Sequence, residues 1–192
     1  MKVIDGRVQK HLPHKQTPSY WTAPSSELAI DKEKPGSGYK HVLSKRDILD
    51  FIEIVPEWDA LSCGLNAVLL AAGEKGVDGW HNPAGIIGLC AWDRGMWRKA
   101  SAGYYEEHAA LFDRIGVPCE RVGNQFLCKF SVSSARAYML LHVFLHELGH
   151  HWDMMTTAKQ AHPARGEGFA EDWALAHEAA LWGAYLDKFG LV

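Results

Sequence analysis

Apolar residues follow two patterns along the chain, and each pattern predicts a different kind of element. Continuous apolar runs at 65–72 and 85–92 are bounded by glycines or turn residues, which favours two short buried strands. Because a turn-rich stretch separates them, we expect these strands to be antiparallel neighbours with a long connection. Two further runs, 117–122 and 125–131, flank Gly123-Asn124, a pair that favours the tight turn of a β-hairpin.

Helical spacing of apolar residues predicts four helices elsewhere in the chain. Ser44 can cap the first helix, Asp47 stands at its third position, and Pro56 marks its end. Gly190 follows the last helix, as glycine commonly does where a helix stops. The other predicted helices span 101–115, from Ser133 or Ser134 to about 155, and 167–188.

The chain divides by composition into two parts. Residues 1–43 are rich in proline and contain a Pro-Gly-Ser-Gly stretch at 35–38, which predicts an irregular N-terminal arm. Residues 44–192 are predicted to form a single domain. Its strands precede most of its helices, so we expect an α+β fold in which a small antiparallel or mixed sheet packs on the two C-terminal helices.

Composition and charge exclude several function classes. The 192 residues carry a net charge of -3, and no cluster of lysine and arginine indicates a nucleic-acid partner. The longest apolar run, within 137–148, is too short for a membrane span and contains His142 and His146. The first ten residues contain no apolar signal segment, so we expect a cytoplasmic protein that does not bind membranes.

The chain contains four cysteines, none of them in a Cys-x-x-Cys pair, which disfavours a zinc site built from thiolates. We expect four buried, reduced thiols. Cys119 and Cys128 flank the predicted hairpin and are candidates for cross-strand neighbours.

The segment with the clearest chemistry is His146-Glu147-Leu148-Gly149-His150, an H-E-x-x-H pattern. Residues four apart lie on one face of a helix, so His146 and His150 can bind one metal ion from a rigid support. Imidazole nitrogen is a preferred ligand of Zn²⁺. Glu147 is then expected beside the metal as the general base that takes a proton from a bound water. Gly149 is a poor helix former, and its small size predicts close backbone packing beneath the site.

A catalytic zinc needs a third protein ligand, which the first helix does not supply. Glu167 and Glu171 are also four residues apart, on the last predicted helix. One carboxylate can bind zinc while the other accepts the second N–H of a ligand histidine. The residues alone leave open which glutamate has which role.

Together, His146-Glu147-x-x-His150 and Glu167-Gly168-Phe169-Ala170 resemble the gluzincin zinc metallopeptidases, over about residues 134–185. The resemblance implies a zincin-like fold, Glu167 as the third zinc ligand and Glu171 as the acceptor of a ligand histidine's N–H. It also implies that 85–92 is an edge strand that holds a peptide substrate. The interval between the two motifs is shorter than usual in the aminopeptidase branch, which keeps Glu171 as the alternative ligand.

Several neighbouring residues are candidates for supporting roles. His142 lies one turn before His146 and is expected to pack against the site or support it rather than bind metal. Asp153 is expected either to orient a histidine or to be solvated. For stabilisation of a tetrahedral oxyanion, Tyr185 lies too far along its helix and His177 faces away from the zinc side. Tyr104, Tyr105 or Tyr138 can contribute instead, and the sequence does not identify which residue does so.

The sequence therefore predicts a zinc-dependent metallopeptidase that hydrolyses a peptide or protein substrate, with Glu147 as general base. The alternative is a catalytically inactive, zinc-stabilised binding module with the same fold. A third hypothesis is a structural domain without metal.

Overall fold

The computed structural model describes residues 18–25, 27–157 and 165–190, together with the backbone of two short strands within 2–9. The strands are β1 (Lys2–Ile4), β2 (Arg7–Gln9), β3 (Ala29–Lys32), β4 (Tyr39–Lys40), β5 (Ala67–Ala71), β6 (Gly79–Asn82), β7 (Ile86–Cys90), β8 (Trp92–Asp93), β9 (Trp97–Ser101), β10 (Cys119–Val122) and β11 (Gln125–Lys129). The α-helices are α1 (Lys45–Ile52), α2 (Trp58–Leu61), α3 (Ala102–Arg114), α4 (Val132–Tyr138), α5 (Leu145–Thr156) and α6 (Gly166–Phe189). A 3₁₀ turn spans Ser19–Trp21, and a π-helical segment, Met139–Phe144, joins α4 to α5.

The central sheet has four strands in the order β3-β5-β7-β6. Strands β3, β5 and β7 are parallel, and β6 pairs antiparallel with β7 at the edge. The predicted antiparallel pairing of 65–72 with 85–92 is therefore wrong. The connection between them contains β6, which takes the antiparallel position beside β7. Both β5 and β7 are buried throughout, as parallel strands covered on both faces are.

The N-terminal segment contributes directly to this sheet. Strand β3 pairs with β5, and β4 pairs with β8, so the prediction that 1–43 is irregular is wrong at these positions. Tyr20 is buried against the sheet, and its hydroxyl donates a hydrogen bond of 3.0 Å to Asp31 Oδ2. The segment before residue 44 thus supplies both a strand and part of the core.

A second, three-stranded sheet has the order β10-β11-β9 and contains the predicted hairpin around Gly123-Asn124. Its register places Cys119 opposite Cys128, and the two form a disulfide. The expectation of four buried, reduced thiols is therefore wrong. Cys90 is a buried free thiol, whereas Cys63 is free and exposed.

The helices follow their local signals closely. Ser44 caps α1 and forms a reciprocal capping box with Asp47, and Gly190 ends α6 with φ 79°. The helix predicted to start at Ser133 or Ser134 instead begins at Val132. Its cap is Ser131, which bonds reciprocally with Ser134. Among the described residues, no helix combines the length and the apolar character needed to cross a membrane.

The core lies on both faces of the central sheet. Alternate residues of β5 and β7 face a large cluster shared with the helices, while the intervening residues face a smaller cluster around Tyr20. The predicted α+β class is confirmed in this general form: small sheets pack against helices. The sheet is mixed because its edge strand runs against the other three.

Helices α5 and α6 run antiparallel and approach each other closely at Gly149. A Cβ atom at this position would lie 3.1 Å from Ala170 Cα and 3.3 Å from Ala170 O. The close backbone packing predicted from Gly149 is confirmed, because a larger side chain would press on the backbone of α6.

Asp153 connects the end of α5 to the start of α6. It is fully buried and accepts hydrogen bonds from the backbone N–H groups of Arg165 (2.7 Å) and Gly166 (3.2 Å) and from Arg165 Nε (2.8 Å). Burial acts to raise the pKa of Asp153, but these donors outweigh it and lower that pKa. Of the loop predicted at 162–166, residues 162–164 lie outside the described residues.

We predict that Asp153→Asn lowers the free energy of unfolding at pH 7 by about 1–3 kcal/mol, because a charged acceptor is lost beneath the start of α6. The folded-state pKa lies below the unfolded value of 3.8. The stabilisation is therefore present above about pH 4 and is lost as the pH falls through the folded pKa. Urea unfolding of both proteins at pH 7 and below pH 4 measures this difference. Asp172→Asn, at an exposed position of α6, is the control and should have little effect.

Candidate metal centre

A cleft of about 560 Å³ lies between the edge strand β6 and the helices that carry the H-E-x-x-H motif. The loop before β6 and the strand itself form one wall. The opposite wall comes from α3, the π-helical segment, α5 and α6. The side chains that carry chemistry along this cleft are Asp78, Tyr104, His142, His146, Glu147, His150, Glu167 and Glu171.

At the open end of the cleft, three potential ligand atoms converge. Glu167 Oε2 lies 3.2 Å from His146 Nε2 and 3.3 Å from His150 Nε2. A tetrahedral zinc ion with bonds of roughly 2.0–2.2 Å separates its ligand atoms by about 3.3 Å, so this donor set fits zinc. The Glu167 side chain is 84% exposed, which leaves one side of the group open to solvent and to a substrate.

Glu171 occupies a different position from Glu167. Its Oε2 lies 2.9 Å from His146 Nδ1, the nitrogen on the far side of the ring from Glu167. Burial acts to raise the pKa of Glu171, but the rings of His108 and His146 outweigh it and hold that pKa well below its usual range. A carboxylate at this position fixes the orientation of His146 and keeps the proton on Nδ1, which leaves Nε2 free to bind a metal.

The two motif histidines differ in their surroundings. Burial lowers the pKa of His150. The same effect acts on His146, but the hydrogen bond that His146 donates to Glu171 and the charge of Glu147 outweigh it and raise the pKa of His146. His150 Nδ1 is buried and has no hydrogen-bond partner within the described part of the chain. Of the two rings, only His146 is therefore oriented by a carboxylate at its Nδ1 atom.

Glu147 lies against the edge strand, and its side chain is largely buried. Its side chain contacts Gly79 so closely that a Cβ atom there would lie 2.8 Å from Glu147 Oε1. Burial raises the pKa of Glu147 to about 7, although the charge of His146 acts in the opposite direction. A carboxyl group with this pKa can both accept and return a proton near neutral pH.

Behind the motif helix lies a second group that the sequence did not reveal: His108, His142 and Glu171. Their ligand atoms lie within 4.8 Å of one another. His142 was expected to support the site, and its position one turn before His146 indicated this. His108 was missed because it belongs to α3, 34 residues before His142. Only the packing of α3 against the π-helical segment brings the two rings together.

Asp78, Tyr104 and Tyr138 line the cleft and form a polar cluster with Arg98, which lies outside the cleft lining. Arg98 forms an ion pair with Asp78 and lies over the Tyr138 ring, and the two tyrosine hydroxyls are hydrogen-bonded to each other. Burial raises the pKa of Tyr104, so its hydroxyl keeps its proton at neutral pH and can donate a hydrogen bond into the cleft.

Other candidates from the sequence lie away from the cleft. Tyr105 stacks on Phe126, and His177 stacks on Trp173 and bonds to its carbonyl group. Tyr185 is buried between α6 and the rest of the core. Asp153 is neither solvated nor hydrogen-bonded to a histidine. It accepts hydrogen bonds from the backbone N–H groups at the start of α6 instead.

Comparison of the chain with known proteins finds no matching family model, no matching curated protein and no matching solved structure.

We predict that Glu147→Gln stabilises the metal-free chain at neutral and alkaline pH. The folded-state pKa of about 7 lies above the ordinary value of 4.5, so wild-type stability falls relative to the variant as the pH rises through this interval. The expected difference is close to zero near pH 4 and about 1–3 kcal/mol near pH 8.

Urea unfolding in the presence of a chelator, at several pH values, measures this difference. Glu120→Gln, at an exposed position of β10, is the matched control and should follow the wild type at every pH. A Glu147→Gln difference that does not change with pH would contradict the raised pKa.

Proposed function

We propose that this protein is a zinc-dependent hydrolase that cleaves peptide bonds. The observation that carries the proposal is the convergence of His146 Nε2, His150 Nε2 and Glu167 Oε2 in an open cleft, directly beside the buried carboxyl group of Glu147. Two imidazoles and one carboxylate with an open side are one of the common ligand sets of a catalytic zinc. When bound, zinc supplies Lewis acidity toward the scissile carbonyl group and toward water.

The geometry supports Glu167 as the third ligand and Glu171 as the residue that orients His146. Glu167 Oε2 is equally close to both Nε2 atoms, whereas the described contact of Glu171 with His146 is to Nδ1. Glu171 also lies deeper and is held by three histidines. A mixed sheet with an antiparallel edge strand beside the H-E-x-x-H helix, together with these ligands, supports the resemblance to gluzincin metallopeptidases.

Glu147 is the general base of the proposed reaction. Its carboxylate accepts a proton as the oxygen of water attacks the carbonyl carbon, and it then delivers that proton to the amine nitrogen as the C–N bond breaks. Burial favours both steps because it brings the pKa of Glu147 close to neutrality. Zinc bound beside it would lower this pKa, which favours the proton-accepting form.

Tyr104 is the residue we propose for stabilising the oxyanion. Of the three tyrosines considered from the sequence, Tyr104 and Tyr138 line the cleft and Tyr105 does not. Tyr138 is 1% exposed, whereas Tyr104 is partly accessible. The Tyr104 hydroxyl stays protonated and is supported by Tyr138 and Arg98, so it can donate to a developing negative charge.

The edge strand β6 indicates what kind of substrate the cleft accepts. The resemblance implied that 85–92 would be the edge, but β7 is flanked by β5 and β6, so that expectation is wrong. Strand β6 takes this place and lines the cleft at Gly79, Trp80 and His81. The free backbone groups of an edge strand can pair with an extended peptide, which supports a peptide or protein substrate.

Metal content and turnover of three proteins test the proposal. We expect His146→Ala to contain about one zinc ion per chain less than the wild type, since one of three ligands is lost. Glu147→Gln should keep its zinc but cleave a mixed peptide library at least about 100-fold more slowly. Glu120→Gln serves again as the control and should behave as the wild type. Plasma mass spectrometry and peptide sequencing of the products give the two measurements.

Two other outcomes would contradict parts of the proposal. If the wild type contains zinc that is lost in His146→Ala but cleaves no peptide, the alternative of a zinc-stabilised binding module is correct. If neither the wild type nor His146→Ala contains zinc after dialysis against Zn²⁺, both the hydrolase and the zinc-stabilised module are wrong. The domain is then a structural domain without metal.

We predict that Tyr104→Phe lowers kcat by about 100-fold to 1000-fold, because one donor to the oxyanion is lost. KM and zinc content should change little, since the ring and the metal ligands remain. Tyr105→Phe is the matched control: it is the next residue, but its ring stacks on Phe126 outside the cleft. Equal activity of the two variants would contradict the role of Tyr104.

A further inference from the structure

We propose that His108, His142 and Glu171 form a second binding site for a divalent metal cation of the zinc type, at the buried end of the cleft. This site is separate from the His146, His150 and Glu167 group, and its existence does not depend on peptide hydrolysis. The proposal begins from the convergence of three ligand atoms contributed by three different elements.

The distances among these atoms fit a small, closely coordinated cation. His108 Nε2 lies 3.1 Å from His142 Nε2 and 2.7 Å from Glu171 Oε1, and His142 Nε2 lies 3.8 Å from Glu171 Oε1. The three separations scatter around the distance of about 3.3 Å expected between ligands of a tetrahedral zinc ion. Two imidazoles and a carboxylate are a donor set that suits zinc and other transition metals better than magnesium or calcium.

The backbone fixes the tautomer of His108 that metal binding requires. His108 Nδ1 lies 2.8 Å from the Tyr104 carbonyl oxygen, which can only accept a hydrogen bond, so Nδ1 carries a proton. In the neutral ring, the lone pair is then on Nε2, the atom that faces His142 and Glu171. A histidine oriented by a backbone carbonyl through its other nitrogen is a common arrangement around protein-bound metals.

Two polar atoms of this group lack hydrogen-bond partners among the described residues. Glu171 Oε1 forms no regular hydrogen bond, and its close neighbour is His108 Nε2 at 2.7 Å in an ion-pair contact. His142 Nδ1 is also unpaired, although its side chain is only 5% exposed, and the equally unpaired Glu178 Oε2 lies 3.8 Å from it. A cation on His142 Nε2 would keep the proton on Nδ1, and a small shift would then let Nδ1 donate to Glu178.

Glu171 connects the two candidate sites through its two oxygens. Oε2 accepts from His146 Nδ1, while Oε1 faces His108 and His142. No ligand atom is shared, so both sites can be filled at once. His142 and Glu171 line the cleft and His108 lies behind them, which gives a cation an access route from solvent.

A proton on His108 is the rival explanation for the same contacts. An imidazolium ring could satisfy Glu171 Oε1 and His142 Nε2 without any metal. The two explanations differ in metal content, since the rival requires no second cation.

The test measures zinc bound by the full-length chain after chelator treatment, reconstitution with Zn²⁺ and removal of excess metal. The key variant is His108→Phe, which keeps a ring stacked on Tyr104. His177→Phe is the matched control, because His177 likewise stacks on the aromatic ring four residues earlier and bonds to its carbonyl oxygen. His177 belongs to neither group of potential ligands.

We expect about two zinc ions per chain in the wild type and in His177→Phe, and about one in His108→Phe, with one ion for each three-ligand group. Equal zinc content of His108→Phe and the wild type would overturn the second site and favour the protonated ring. In His146→Ala, loss of one ion should leave the second site filled. If His146→Ala keeps all wild-type zinc while His108→Phe loses one ion, the second site is supported and only the proposed catalytic site fails.

A measurement that does not need this variant covers the case in which His108→Phe does not fold. Titration of the metal-free chain with Co²⁺, followed by visible absorption, should saturate at about two equivalents, one for each ligand group. Saturation at about one equivalent in the wild type and none in His146→Ala would overturn the proposal, because the second site does not contain His146.

Discussion

The close contact between α5 and α6 at Gly149 is the constraint on which the candidate site depends. Glutamate side chains are short, so carboxylates on one helix reach imidazoles on another only if the helix axes lie close together. Gly149 stands between His146 and His150, and its neighbour across the contact, Ala170, stands between Glu167 and Glu171. The closest backbone approach therefore coincides with the level at which ligands from both helices meet.

At one end of the contact between α5 and α6, the two helices are held together by Asp153, which lies outside the cleft. Asp153 holds the first residues of α6, and Glu167 follows only one residue after Gly166. Glu167 itself is exposed and has few other restraints. The backbone just before Glu167 is thus held by a buried acid on the opposite helix, a role that no metal-ligand motif describes.

The parts of the fold that sequence reasoning predicted are those encoded locally. The capping box at Ser44 and Asp47, the turn at Gly123-Asn124 and the four-residue spacings within each motif all depend on nearby residues. The parallel pairing of β5 with β7 and the insertion of β3 were not predicted, because strand order depends on contacts between distant segments. His108 escaped detection for the same reason.

The buried end of the cleft contains polar side chains that lower the stability of the fold, and local sequence preferences do not explain their presence. His108, His142 and Glu178 are nearly inaccessible to solvent. Buried polar atoms without hydrogen-bond partners lower the stability of a fold, and apolar side chains at the same positions would not have this cost. A π-helical segment, which is rare and often found at functional sites, carries His142 into this region. These departures from stable packing coincide in one place, which supports the proposal that the region has a chemical role.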